Sequence, residues 1–460
     1  MADNLAHDPE QDEDVYELSN RQVSDILQAV SASDKDRLSG LMAPLHPADI
    51  ADLLEQVNST DRRGLIELYG QDFDGDILSE LEEGVREDVL AVLTPTVLAE
   101  AVRELDSDDV VDLVEDLDEP QQEAILEVLE DADRVAVEQA LTYPETSAGR
   151  LMQRELAMGP EHWTVGAAID YLRHAEELPE EFYHIVLVDP KMRPTGYVTL
   201  GKILGAPRAA KLRDLVEESF RTFHVLEDEA DVAYAFNQYH LISAPVVDDD
   251  GRLAGMITID DAMSVLDEEH EEDIMRLAGV GEGSLADKIF ETIRARFPWL
   301  AVNLVTAILA SMVIARFGAT IEKFVALAVL MPIVASMGGN AGTQSLTVAV
   351  RAIATRDLTS ANMWRVIRRE AFVGLVNGLI FAVVMGGIGV LWFGMPLLGL
   401  VIAAAMIINL FVAGLAGILV PVLLDRSGID PALASGAFVT TVTDVVGFFA
   451  FLGLAALVLL

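Results

Sequence analysis

The sequence predicts a multi-domain membrane protein: an acidic all-α superhelical domain, an α/β domain made of a repeated module, an acidic connecting helix and a five-helix transmembrane domain. Three observations predict it. Charge is divided, with 69 acids and 23 bases before Pro298 and 6 acids and 8 bases after it. Apolar spacing changes from helical to strand-like beyond Tyr143. After Pro298 come five apolar runs, each long enough as a helix to cross about 30 Å of hydrocarbon.

The formal charge of −44 belongs to the front of the chain. So acidic a surface repels nucleic acid and anionic lipid and concentrates cations. A solubilising, salt-adapted surface is the bland alternative. Cysteine is absent, which excludes disulfides, thiolate metal sites and cysteine nucleophiles. No apolar signal segment stands near Met1, so the soluble part is expected in the cytosol.

Residues 1–19 read as an acidic disordered tail and 20–142 as the helical domain. His46-Pro47 and Thr94-Pro95 start helices, with proline in the first turn where its missing N–H costs nothing. Ser107-Asp108-Asp109 and Asp118-Glu119-Pro120 look like further starts. Short helices of one loose pattern suggest a small solenoid, with an ordinary bundle as the alternative.

"YPETSAG" (Tyr143–Gly149) is a linker, and the strand pair "HIVLVDP"/"TGYVTL" follows a helical stretch from Val165 to His174. "SAPVVDDDGRLAGMITIDD" repeats that plan after Ala230 to His240, giving modules at 143–204 and 205–265. Asp267–Asp273 ("DEEHEED") continues a helix begun near Asp260. Residues 266–297 form the connecting helix and a glycine-rich linker, and 298–460 the membrane domain.

The expected spans are about 298–314, 324–350, 371–392, 397–424 and 432–460. Arg351 to Arg369 holds five arginines, whereas the opposite reversals hold Arg316 and Lys323, then nothing ionisable. The positive-inside bias puts that arginine-rich connection and the amino terminus in the cytosol, and an odd span count puts Leu460 outside.

Asp444 is the one ionisable group after Asp430. A mid-membrane carboxylate costs about 2.5–3.5 kcal/mol on insertion scales, so it faces a cavity or a partner. Ala437, Thr440, Thr441 and Gly447 share its face, a small, hydroxyl-bearing stripe suited to a hard cation. A structural Asp bonded to a neighbouring helix is the alternative. "SMGGNAGTQS" in the second span sets Asn340, Thr343 and Gln344 among glycines. It reads as pore-lining backbone, or else as close glycine packing.

On "GGNAGTQS" (Gly338–Ser345), "RAIATRDL" (Arg351–Leu358) and "DPALASGAFVTTVTDVVG" (Asp430–Gly447), the chain resembles the MgtE-type family of magnesium channels over nearly its whole length. The resemblance implies a homodimer in the bilayer, with a Mg2+ site between subunits at Asp444. The Thr440 carbonyl faces the ion, and Asn340 and Thr343 line the path, beside the Thr441 that spacing puts on the face of Asp444. Gly436 replaces a pore-side Asn of some relatives. The resemblance names the repeated modules CBS. It implies an adenine nucleotide such as ATP at Gly255, Thr258 and Asp261, whereas Lys202 replaces the acid in the first module; a dimerising scaffold is the alternative. It further implies feedback, in which cytosolic Mg2+ bridges acids among Asp260, Asp261, Glu269, Glu272 and Asp273 and shuts the pore; Ser264 departs from the family there.

No Walker A motif, phosphorylation-type Asp-Lys-Thr-Gly or pairing of nucleophile and base occurs, so an enzyme is not expected. A secondary transporter coupled to H+ or Na+ through Asp444 is the competing reading. A CBS sensor with a mere membrane anchor is disfavoured, because an anchor gains nothing from Asp444.

Overall fold

The computed structural model describes residues 18–115, 117, 119–175, 178–179, 182–280 and 289–460. The expected tail before Leu18, the cap at Asp118 and most of the glycine-rich linker lie outside the described residues. The chain divides into two compact units, Met1–Asp267 and Glu268–Leu460.

The first unit begins with α1 (Asn20–Ser31), α2 (Lys35–Met42), α3 (Pro47–Gln56), α4 (Ser59–Tyr69), α5 (Asp76–Ser79), α6 (Glu83–Leu90), α7 (Pro95–Glu104), α8 (Ser107–Glu115), α9 (Glu119–Leu126) and α10 (Asp131–Ala140). The proline starts hold: His46 and Thr94 cap α3 and α7, each accepting a first-turn N–H. These helices are short, and a single one buries too little apolar surface to stand alone. One continuous core, from Ile26 through Leu53, Leu78, Val114 and Ile125 to Val137, joins all ten of these helices.

Two modules follow. β1 (Met158–Pro160), α11 (Val165–Leu172), β2 (His184–Val188), β3 (Pro194–Thr199) and α12 (Leu200–Gly205) make the first. β4 (Phe223–His224), α13 (Glu229–Tyr239), β5 (Ser243–Val247) and β6 (Leu253–Thr258) make the second. Each sheet has the order one–two–three, the first pair parallel and the second antiparallel, with a register shift at the same place. His184 of β2 stacks on Tyr197 and bonds the Ser243 hydroxyl of β5 at 3.2 Å. Burial pushes its imidazole down to about 4, which suits a neutral group in a packed seam.

α14 (Ile259–Leu277) straddles the division at Asp267. In the second unit follow α15 (Ile289–Arg316), α16 (Gly318–Lys323), α17 (Ala326–Ala354), α18 (Met363–Phe393), α19 (Pro396–Arg426) and α20 (Pro431–Leu459). Five of these are long and apolar enough to cross a membrane. The centre is α19, whose Leu398, Ile402, Met406, Leu410 and Ile418 are buried against its neighbours. Two boundaries differ from the sequence reading. The first spanning helix runs without a break from Ile289 through Pro298. Arg365, Arg368 and Arg369 sit on the opening turns of α18, not in a loop. Long arginine side chains reach water from inside a helix end, so apolarity marks the hydrocarbon edge and not the helix edge.

Candidate functional site

Asp444 lies midway along α20 and is half-buried; among the described residues its carboxylate forms no hydrogen bond or ion pair. The threonine hydroxyls before it are turned into their own helix. Thr440 Oγ1 donates to the Gly436 carbonyl at 2.9 Å, and Thr441 Oγ1 to that of Ala437 at 2.5 Å. Such back-bonding satisfies the proton and leaves the oxygen lone pairs outward, where a hydrated cation needs acceptors. The Thr440 carbonyl accepts from Thr443 Oγ1 at 3.0 Å and so keeps limited capacity for a further partner.

On α17, Ser336, Asn340, Thr343 and Thr347 share one exposed face by helical spacing. Asn340 Nδ2 donates to Ser336 Oγ at 3.4 Å, and Thr347 Oγ1 to the Thr343 carbonyl at 3.0 Å. The two helices touch at Gly342, where a Cβ would come within 2.6 Å of Val439 and 3.4 Å of Thr443. Only glycine lets them approach so closely, next to Asn340 and Thr343 on one helix and Asp444 on the other.

Sequence reasoning missed Asn409. It is fully buried in α19, and its Nδ2 donates to the Val334 carbonyl of α17 at 2.7 Å. Its Oδ1 has no partner. A Cβ on Gly338 of α17 would meet this amide at 2.3 Å, and one on Gly447 of α20 at 2.8 Å. One side chain therefore touches both helices that carry the polar stripes. The available signal was that Asn409 is the lone amide in the 31 residues of α19.

The proposed regulatory acids fall into two groups. Asp260 and Asp261 open α14 in the first unit, where the helical domain brings Asp106, Asp108 and Asp109 alongside. Burial raises Asp109 to about 7, and repulsion from Asp261 and Asp106 adds to it. Asp106 rises to about 6 by burial and by repulsion from Glu155 and Asp261. Burial, then repulsion from Asp261, lifts Asp108 well above the ordinary range. Asp261 is raised too, chiefly by burial, against the lowering effect of the Thr258 hydroxyl that donates to it. Ser107 Oγ donates to Glu155 at 2.8 Å, tying the start of α8 to the first module. Among the described residues no three His, Asp or Glu already converge as a metal cage.

Glu272 and Asp273 lie about three turns further along α14, in the second unit. Glu272 pairs with Arg276 at 2.6 Å, and Arg276 with Asp430 at 3.1 Å. Asp430 in turn caps α20 through the Ala432 N–H at 2.7 Å. Burial raises Asp273, and Asp430 raises it further. Leu277 packs with Leu346, Val350, Ala432 and Val439, so the last turn of α14 sits against the end of α17 and the start of α20. Glu269 stays exposed.

Of the residues expected to meet a nucleotide, Gly255 lies within β6, Thr258 ends it and Asp261 lies in the first turn of α14. Asp261 thus belongs to both proposed sets. In the first module Lys202 pairs with Glu217 at 2.9 Å, which occupies that position with an internal ion pair.

Comparison with known proteins gives three matches along the chain. The MgtE divalent cation transporter family covers residues 331–454, the MgtE intracellular N domain 45–146 and the CBS domain 213–268. The magnesium transporter MgtE of Thermus thermophilus is 32% identical over 438 residues, 94% of this chain and 97% of its own. That of Bacillus subtilis is 30% identical over 413 residues, 89% of this chain and 91% of its own. The cytosolic domain of the Mg2+ channel MgtE, solved in complex with ATP, superposes with a TM-score of 0.50 at 27% identity. It covers 53% of this chain and 99% of that one.

Proposed function

The chain belongs to the MgtE family of divalent cation transporters, and from that membership we propose a homodimeric, Mg2+-selective channel of the plasma membrane gated by cytosolic Mg2+. A multi-pass membrane protein of this family does transport and not catalysis. The observation that carries the proposal is Asp444, an intramembrane carboxylate with no protein partner among the described residues, facing the same way as a stripe of hydroxyls. Mg2+ sheds water reluctantly and prefers six oxygens at about 2.0–2.1 Å. Two Asp444 side chains across a dimer axis hold such an ion through its waters, tightly enough to attract it and loosely enough to release it. Asn340, Thr343, Thr440 and Thr441 line the approach. The arginines at the start of α18 support a cytosolic position for that end and for the amino terminus.

Gating follows from the acids. Asp106, Asp108 and Asp109 repel Asp260 and Asp261, and a bridging divalent cation removes that repulsion and favours the docked arrangement by mass action. α14 is common to both units, so holding its first turns restrains its last, where Arg276 and Leu277 meet the start of α20. Glu269, Glu272 and Asp273 add charge along the same helix. An adenine nucleotide at Gly255, Thr258 and Asp261 is proposed as a further ligand, supported by the ATP-bound relative.

The test is Mg2+ influx into liposomes holding the purified protein. Asp444→Ala is expected to abolish influx while insertion and dimerisation persist; wild-type influx through this variant would end the pore assignment.

A further inference from the structure

A second polar site lies in the membrane domain, away from α20. A cavity of about 180 Å³ opens between α17, α18 and α19, lined by Gln344, Ser345, Glu370 and Asn377 among apolar residues. Ser345 Oγ donates to Glu370 Oε2 at 3.1 Å. Among the described residues the other Glu370 oxygen and the Gln344 and Asn377 amides make no hydrogen bond. Glu370 lies about 10 Å from the start of α18 and Ser345 about 13 Å from the end of α17, both within the spanning helices. Polar groups at that depth are satisfied by protein, by water or by an ion.

The chemistry selects among these. Glu370 supplies one negative charge, and the two amides supply carbonyl oxygens, the donor type a hard cation prefers. At about 30 Å³ per water, the space matches the roughly six waters of an octahedral shell. At about 100° per residue, Arg365, Arg368 and Arg369 all point at least a quarter-turn away from Glu370, whereas Asn377 points the same way as Glu370. The arginines therefore leave the negative charge of the cavity uncancelled. No residue of α20 lines the space, which separates it from Asp444.

We propose that this cavity is a second binding site for a hydrated divalent cation, with Glu370 as its charge and Gln344 and Asn377 holding the water shell. The inference rests on the reading that Mg2+ is the transported ion. The probe is Mn2+, counted per chain by equilibrium dialysis on the full-length protein in lipid nanodiscs. Glu370→Gln keeps the size and the acceptor for Ser345 but removes the charge, and is expected to lower the count by about one ion per chain. Asp444→Ala lowers it independently, and the double variant shows both losses. Asn377→Leu, which leaves the Ser345–Glu370 bond alone, is expected to weaken Mn2+ binding as well. Ser345→Ala, which removes only the bond, should retain the ion. A folded Glu370→Gln protein with the wild-type count, or Asn377→Leu with unchanged binding if the former fails to fold, overturns the proposal. Wild-type protein that carries no Mg2+ into liposomes would instead reject the transport reading, and the Mn2+ count would still decide the site.

Discussion

Asn409 shows how little chemistry is needed to join the two helices of the proposed pore lining. Its one hydrogen bond to Val334 is worth about 0.5–1.5 kcal/mol net, and its unpaired oxygen costs about 1–3 kcal/mol. Removing both together leaves stability nearly unchanged, so a loss of transport would report positioning and not unfolding. Asn409→Ala is expected to cut Mg2+ influx about tenfold, with insertion and melting temperature close to wild type. Liposome flux and thermal unfolding measured together decide it; unimpaired flux would show that α17 and α20 find their register without the amide. As candidates, Asp444, Asn340 and Thr343 stand out in the sequence because each is a polar intruder in an apolar run. Asn409 is one too, but nothing local says that its amide touches glycines on two other helices. Glu370 was hidden for a different reason. It follows two arginines and so reads as part of a charged helix end, whereas the fold turns it towards Ser345.

At the scale of elements, capping chemistry carried the sequence reading and tertiary pairing escaped it. Proline and its preceding cap set α3 and α7, and the repeated strand pairs set two sheets of identical order. Asp108 and Asp109 read as first-turn acids of α8, favourable at a helix N-terminus. Their other role depends on Asp261, some 150 residues away, which no local pattern reveals. That meeting makes the joint pH-sensitive. The carboxyls of Asp106 and Asp109 rise from 3.8 to about 6 and about 7. A group raised on folding contributes stability that is fully present below its unfolded pKa and is lost as pH rises through the folded one. The docking of α8 on the start of α14 should therefore be firm near pH 4 and weaken by pH 7 and above, where Mg2+ restores it. Hydrogen exchange of both segments, followed against pH with and without Mg2+, reads this directly. Asp108→Asn with Asp109→Asn is expected to reduce both dependences and leave the part carried by Asp106, and equal protection at all pH values in the unmodified chain would refute the account.

Across the whole molecule, the proposed function turns the division of charge seen first in the sequence into a division of labour. On the proposed reading, the first unit with its mutually repelling acids senses cations, and the second supplies a path with one carboxylate on its last helix. α14 belongs to both, and Glu272, Arg276 and Asp430 fasten its far end to the cap of α20. A channel needs only this, a conductive path and a latch, with the membrane potential as the driving force. A carrier that alternates access would use Asp444 for coupling and turn over too slowly for single events to register. Recording from single proteins in a planar bilayer separates them. With Mg2+ as the sole permeant cation, the account predicts unitary inward currents that close as Mg2+ on the cytosolic face reaches millimolar levels and that are absent in Asp444→Ala. Steps that ignore cytosolic Mg2+ or persist without the Asp444 carboxylate would contradict it, as would Mg2+ uptake that never resolves into steps.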